Sequence, residues 1–268
     1  MSSTGAHPAR RIELGHAFNL RDIGGYATGT GATAWRRVFR ADGVHRLSAV
    51  DAVRLREQLG VRTVIDLRTF AERETSGCFA CDGVATIHLP MLRKTWDGEV
   101  TDDDEPEAFL AGRYLLMLEE GREAIAAAME IVASPHRRPV LFHCSVGKDR
   151  TGVLAALLLE LLGVGDDDIA GDYALSAEAM ERLRDWARLH QPAALDAMTA
   201  QAAAILTAPV EAMHRFLDEL RRRHGSAEGY LSAAGVPSRA ISALRRDLVD
   251  HASPPPALRD VDGHVPLK

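Results

Sequence analysis

The run HCSVGKDRTG at residues 143–152 holds a thiol, two cations and an acid within one short span. Cys144 and Arg150 stand six positions apart, with Gly147 between them and Gly152 just after. The preceding PVLF, residues 139–142, reads as a buried strand, and VLAALLLELLG, residues 153–163, as a buried helix. A cysteine on such a turn meets a helix N-terminus and nearby cations. That setting can lower a thiol pKa from about 8.5 to roughly 3.5–7.5. No proline interrupts Ser145 to Arg150, so every backbone N–H in that span is available to turn inward. A nest of amides binds a tetrahedral oxyanion. Arg150 adds a planar fork for two phosphate oxygens.

The chemistry these residues predict is in-line attack of the Cys144 thiolate on phosphorus. It forms a cysteinyl-phosphate and releases an alcohol or phenol, and water then clears the enzyme. Ser145, Val146, Gly147, Lys148 and Arg150 would bind the phosphate. Gly147 allows backbone angles that a side chain resists, and Gly152 allows close helix packing. Thr151 would hydrogen-bond the departing thiolate. His143 is expected to orient the loop through backbone hydrogen bonds. Gly147-Lys148 is no nucleotide P-loop: Phe142 and Asp149 stand where that motif needs glycine and Ser or Thr.

The elements that position this turn alternate between strand and helix through the first 165 residues, which argues for an α/β core with a largely parallel sheet flanked by helices. Expected strands are 35–40, 61–67, 84–89 and 139–142. Expected helices are 48–59, capped by Ser48 with Asp51 completing a capping box, then 108–132 and 151–162. Residues 93–107 read as a polar, acidic loop or lid. Residues 166–223 are helical in composition, with breaks near Pro192 and Pro209, and a last helix spans 238–249. In open α/β sheets ligands gather at the carboxyl ends of strands, which is where the Cys144 turn lies.

The chain has 268 residues, of which 46% are apolar, enough for one sizeable core. A net charge of −6 argues against a broad nucleic-acid surface. The longest apolar run, Val153 to Leu162, contains Glu160 and is too short to cross a bilayer. The N-terminal MSSTGAHPAR has no apolar secretory core, so a cytoplasmic protein is expected, with export lacking a cleaved signal as the alternative. Three cysteines fit a reducing compartment.

The spacing Cys144-x5-Arg150, with His143 before and Thr151-Gly152 after, resembles the protein tyrosine phosphatase signature. The whole run is similar to the bacterial branch related to the mycobacterial secreted phosphatase B. NLRDIGGY at 19–26, VFRAD at 38–42, VIDLR at 64–68 and DYALS at 172–176 resemble it too, in order. The resemblance implies a phosphatase-like domain over residues 12–250; the residues themselves read as a flexible arm at 1–11 and a flexible tail at 251–268. It also implies a helical lid drawn from 166–223, a metal-free mechanism without cofactor, and substrates among phosphotyrosine, phosphoserine, phosphothreonine or phosphoinositides.

The general acid in many tyrosine phosphatases is an aspartate on an upstream Trp-Pro-Asp loop. Here only Trp96-Asp97 echoes it. The branch resemblance points instead to Asp149, with Asp102, Asp103 and Asp104 as alternatives and Asp66 as a weaker one. Lys148 would meet a second phosphate, or else be a surface lysine.

Other residues carry plainer expectations. Asp66 and Arg68 read as a structural ion pair. Arg21 and Asp22 would tie the first turn to the sheet. Cys78 and Cys81 form a C-x-x-C without a second one, and His88 does not complete a zinc site, so two ordinary cysteines are expected. Rival functions are a phosphate-binding module without turnover and a sulfur transferase, which generally has a shorter loop.

Overall fold

A computed structural model describes residues 8–95, 105–192 and 207–250. Its main sheet has five strands, and β6 (Val140–His143) occupies the centre. β3 (Val38–Ala41) flanks it on one side and β4 (Thr63–Asp66) on the other, both parallel to it. β5 (Ala85–His88) continues the parallel set beyond β4, and the short β1 (Arg21–Asp22) pairs antiparallel with β3. A second, two-stranded sheet joins β2 (Ala32–Thr33) to β7 (Val249–Asp250). Every residue of β3, β4 and β6 is buried, the condition of parallel strands covered on both faces.

The register aligns Ala41, His143, Asp66 and His88 in one row at the carboxyl ends of the parallel strands. Chain leaving β6 therefore emerges between the exits of β3 and β4. It enters α5 (Asp149–Leu161), whose residues from Arg150 to Leu159 are all buried, as its nearly continuous apolar sequence requires.

The other helices cover this core. α1 (Ala49–Glu57) starts on Ser48, whose Oγ accepts the Asp51 N–H at 3.1 Å. Asp51 turns its carboxylate to the Ser48 hydroxyl at 2.8 Å, so the expected reciprocal box does not form. A full box occurs instead at Thr69 and Glu72, opening α2 (Phe70–Ser76). The single helix expected over 108–132 is two helices, α3 (Pro106–Glu120) and α4 (Arg122–Ala133). They meet at Gly121, where a Cβ would lie 2.8 Å from the Met117 carbonyl and 2.9 Å from that of Met91.

α6 (Asp166–Ala174) and α7 (Ser176–His190) follow, then α8 (Val210–His224), α9 (Ala227–Ala233) and α10 (Ser238–Leu248). Within 166–223, the region expected to supply a lid, Ile169, Tyr173, Met213 and Phe216 place α6 and α8 inside the main core, and residues 193–206 lie outside the described residues. The arm expected over 1–11 is tied down at its end. Pro8–Arg10 forms a turn, and buried Arg10 bonds the Gly24 and Gly25 carbonyls with its guanidinium 3.6 Å from the Tyr26 ring centre. The tail at 251–268 lies outside the described residues. Among the described residues no helix is long and apolar enough to cross a membrane.

Candidate active site

Cys144 follows the last residue of the central strand and is 1% exposed. The Gly147 N–H donates to its Sγ at 3.3 Å. The rest of the loop is oriented by its carbonyls. Ser145 O accepts from Gly43 N at 3.1 Å, Val146 O from Asn19 Nδ2 at 3.0 Å, and Gly147 O from Arg40 Nη2 at 2.8 Å. In a trans peptide the carbonyl and the following N–H point in opposite directions. Drawing three successive carbonyls outward therefore turns the N–H groups of Val146, Gly147 and Lys148 inward, to the sulfur side. Gly147 has φ +71, and a Cβ there would stand 2.6 Å from the Ala41 carbonyl oxygen and 2.7 Å from Asp42 N. No side chain fits between loop and strand at that point.

Arg150 lies on the first turn of α5, and its guanidinium is held by a residue that sequence reasoning missed. Glu72 of α2 accepts from Nη1 at 2.5 Å and from Nη2 at 2.7 Å, and its Oε1 also accepts from Ser145 Oγ at 2.5 Å. The Thr69 N–H donates to Glu72 at 2.7 Å. Burial would raise the Glu72 pKa, but the Arg150 bonds and charge outweigh it and hold the carboxyl at about 2. An end-on pair through both Nη atoms leaves Nε and an outer N–H of the guanidinium for other acceptors. The Thr-x-x-Glu pattern at 69–72 signals a helix start, but not a reach of 78 residues to Arg150.

Asp149 accepts on Oδ1 from the Tyr114 hydroxyl at 2.7 Å, and Lys148 Nζ stands 3.0 Å from the same oxygen. Lys148 is fully buried, and its Nζ also donates to the Thr207 carbonyl at 2.8 Å. It is therefore not the expected surface lysine. The Thr151 hydroxyl is buried with no hydrogen-bond partner among the described residues, and no bond to Cys144 is present. His143 is buried, with Nδ1 3.1 Å from the Cys144 carbonyl and Nε2 3.8 Å from Asp66. Burial outweighs the pull of Asp66 and lowers its pKa to about 4, so the ring is neutral at pH 7.

Asp66 sits apart from the sulfur in a bidentate pair with Arg68, at 3.0 and 2.8 Å, with Arg73 at 3.4 Å. This is the structural pair read from the sequence. Trp96, Asp97 and the acids Asp102, Asp103 and Asp104 lie outside the described residues.

The flanking motifs converge behind the loop. Arg21 Nε donates to Asp172 Oδ1 at 2.9 Å, Tyr26 to the same oxygen at 2.9 Å, and Arg40 bonds Oδ2. Arg21 ties the first turn to the sheet through its β1 pairing with Arg40, and its side chain also reaches α6. Asp22 instead caps its own turn, accepting from Gly24 N and Arg36 N at 2.9 and 2.8 Å. Asp42 receives Asn19 N at 2.9 Å and Arg46 at 2.5 Å, fixing the Asn19 strut. Cys78 and Cys81 are free thiols near α2, and His88 Nε2 lies 2.7 Å from the Arg68 carbonyl. Among the described residues no group of three or more His, Cys, Asp or Glu side chains is placed to hold a metal ion.

This arrangement can bind a tetrahedral dianion against a sulfur nucleophile. The model of the tyrosine phosphatase family matches residues 12–250. The chain is 31% identical over 229 residues to a Cupriavidus necator protein named as a candidate tyrosine-protein phosphatase, covering 81% of each. It is 27% identical over 274 residues to the triple specificity protein phosphatase PtpB of Mycobacterium tuberculosis, covering 87% of this chain and 97% of that one. Among solved structures, TpbA of P. aeruginosa overlaps 69% of this chain and 98% of its own, with 19% identity and a TM-score of 0.32.

Proposed function

This chain belongs to the tyrosine phosphatase family, and from that premise we propose that Cys144 opens hydrolysis as a thiolate, in a loop built to grip the phosphate. The enzyme is a protein-tyrosine phosphatase, a phosphoric monoester hydrolase. The observation that carries the mechanism is the outward restraint of three loop carbonyls, with the Gly147 N–H on Cys144 Sγ.

In the first step sulfur attacks phosphorus in line with the leaving oxygen, and a cysteinyl-phosphate forms. The inward amides and the free edge of Arg150 hold the three equatorial oxygens, with Glu72 setting the guanidinium plane. Asp149 donates the proton to the leaving oxygen, then accepts one from the water of the second step. Neutral His143 braces the Cys144 carbonyl and takes no part in proton transfer. The Thr151 hydroxyl, unpartnered and one residue beyond Arg150, is available to the sulfur as it leaves. Substrates are phosphotyrosine proteins, with phosphoserine, phosphothreonine or phosphoinositide monoesters as further members. The name of the mycobacterial relative supports that breadth.

Phosphate release from a phosphotyrosine peptide, measured with chelator present, tests this reading. Cys144→Ser is expected to lose several orders of magnitude in turnover while still binding tungstate, and the parent should yield a trapped phosphocysteine after acid quench. Undiminished release by Cys144→Ser would remove the mechanism. Phosphoserine and phosphothreonine peptides and phosphoinositides, run beside it, define the range.

A further inference from the structure

Tyr114 of α3 and Tyr173 of α6 are both buried, and their hydroxyl oxygens are 2.7 Å apart. The Tyr114 hydroxyl also lies 2.7 Å from Asp149 Oδ1. A phenol has one proton to give. Tyr114 spends its proton on the carboxylate, so Tyr173 must donate to Tyr114. The chain runs one way: Tyr173 to Tyr114 to Asp149. Lys148 Nζ approaches the same Oδ1 at 3.0 Å, and an ammonium can only donate. Oδ1 therefore faces two donors, and a carboxylic proton placed on it would point at a cation. Oδ2 has no hydrogen-bond partner among the described residues, and the Asp149 side chain keeps 14% of its exposure.

We propose that Tyr114, braced by Tyr173, is a positioning residue that confines the transferable proton of Asp149 to Oδ2, the oxygen free to meet the leaving group. The proposal rests on the reading of Asp149 as general acid. Donors on Oδ1 leave a protonated Asp149 with its O–H on one oxygen and one rotamer, so no reorientation precedes transfer. Burial raises the pKa of both tyrosines, and Asp149 adds to the rise, so the chain stays protonated throughout the working range. The Tyr114 ring is fixed edge-on between Tyr173 and Phe216, with centroids 5.9 and 6.1 Å away. A buried tyrosine needs a hydrogen-bond partner, but not this one: Tyr230 satisfies its hydroxyl on the Leu118 carbonyl at 2.7 Å. Tyr114 is directed to a titratable side chain on the phosphate loop instead.

The test uses the full chain and a series of aryl phosphates of graded leaving-group acidity, with Tyr114→Phe, Tyr173→Phe, Asp149→Asn and the double variant Asp149→Asn/Tyr114→Phe. Asp149→Asn should cost little on p-nitrophenyl phosphate and about 100-fold or more on the poorest leaving group. Tyr114→Phe should show the same graded pattern at about tenfold, and nothing further once Asp149→Asn is already in place. Tyr173→Phe, which does not touch Asp149, should follow with a smaller graded loss and serves if Tyr114→Phe folds poorly. The groups facing Asp149 are Tyr114, Tyr173, Lys148 and Arg150. A loss equal for all leaving groups, or one that persists in the Asp149→Asn background, overturns the positioning role alone. A flat series for Asp149→Asn overturns the general-acid reading and this proposal with it.

Discussion

Asp172 and Glu72 each grip arginine at the phosphate loop, and their settings differ. Asp172 is enclosed: Arg21, Arg40 and Tyr26 saturate it, with side chains of Asp172 and Arg40 each 1% exposed. Burial alone would raise its pKa; the two guanidinium groups outweigh that and hold it ionised well below the usual carboxylate range. Glu72 is nearer to solvent, at 19%, and its partner Arg150 keeps 9%. The first cluster stands behind the phosphate loop, closed to solvent with even the unpaired Arg40 Nε buried. The second stands at its front and leaves Nε of Arg150 without a hydrogen-bond partner among the described residues. The same chemistry thus makes a fixed anchor where it is closed, and a ligand-holding group where one edge stays open. Paired charges in a buried cluster stabilise only while all members are present.

Breaking the closed cluster should have the largest effect. Asp172→Ala leaves two buried guanidinium groups unpaired. It is expected to lose on the order of 3–5 kcal/mol in denaturant unfolding, with a smaller loss of kcat/KM in the protein that stays folded, because Arg40 then holds the Gly147 carbonyl less firmly. A stability unchanged from the parent would show that the closed cluster does not anchor the fold. Opening the front cluster should act on catalysis first. Glu72→Gln is expected to cut kcat/KM by about 10- to 100-fold, mostly through KM, because Arg150 loses its orientation.

Acid separates the two further. The Glu72 pKa is depressed from 4.5 to about 2, so its contribution is complete above about pH 4.5 and is lost as pH falls toward 2. His143 titrates at about 4 when folded against 6.5 when free, so stability also falls between pH 6.5 and 4, where the unfolded chain takes up the proton first. Denaturant midpoints of Glu72→Gln should keep the upper decline and show a shallower lower one. An unchanged lower slope would mean that Arg150 does not hold Glu72 in solution. The smallest change is Asn19→Ala, which frees the Val146 carbonyl. About 1 kcal/mol of stability and about tenfold in kcat/KM are expected to go, and tungstate affinity should drop with them.

Cys144 and Arg150 were legible because their spacing lies within one turn, where the backbone alone brings them together. The parallel core was legible from β-branched runs such as Thr63–Ile65 and from the apolar face-to-face character of α5. Glu72 was not, because nothing local links a capping residue of α2 to an arginine 78 positions on. Tyr114 lay in a run expected to form one amphipathic helix and carried no motif. Its role exists only because α3 and α6 both pack on α5, which brings its hydroxyl to Tyr173 and Asp149. Lys148 was misjudged for the reverse reason: its neighbours in sequence are polar, but Thr207, 59 residues away, closes over it. The break at Gly121 was hidden by good helix formers on both sides; the crowding by Met91 that requires glycine there is tertiary.

Val146 and Gly147 are held by Asn19 and Arg40, more than one hundred residues earlier in the chain. A transplant of the ten residues 143–152 into a foreign strand–helix junction would therefore carry the nucleophile but not the shape that makes it useful. The heritable unit of this chemistry is a scattered set of struts, and a designer would have to move Asn19, Arg40, Glu72 and Asp172 along with the motif.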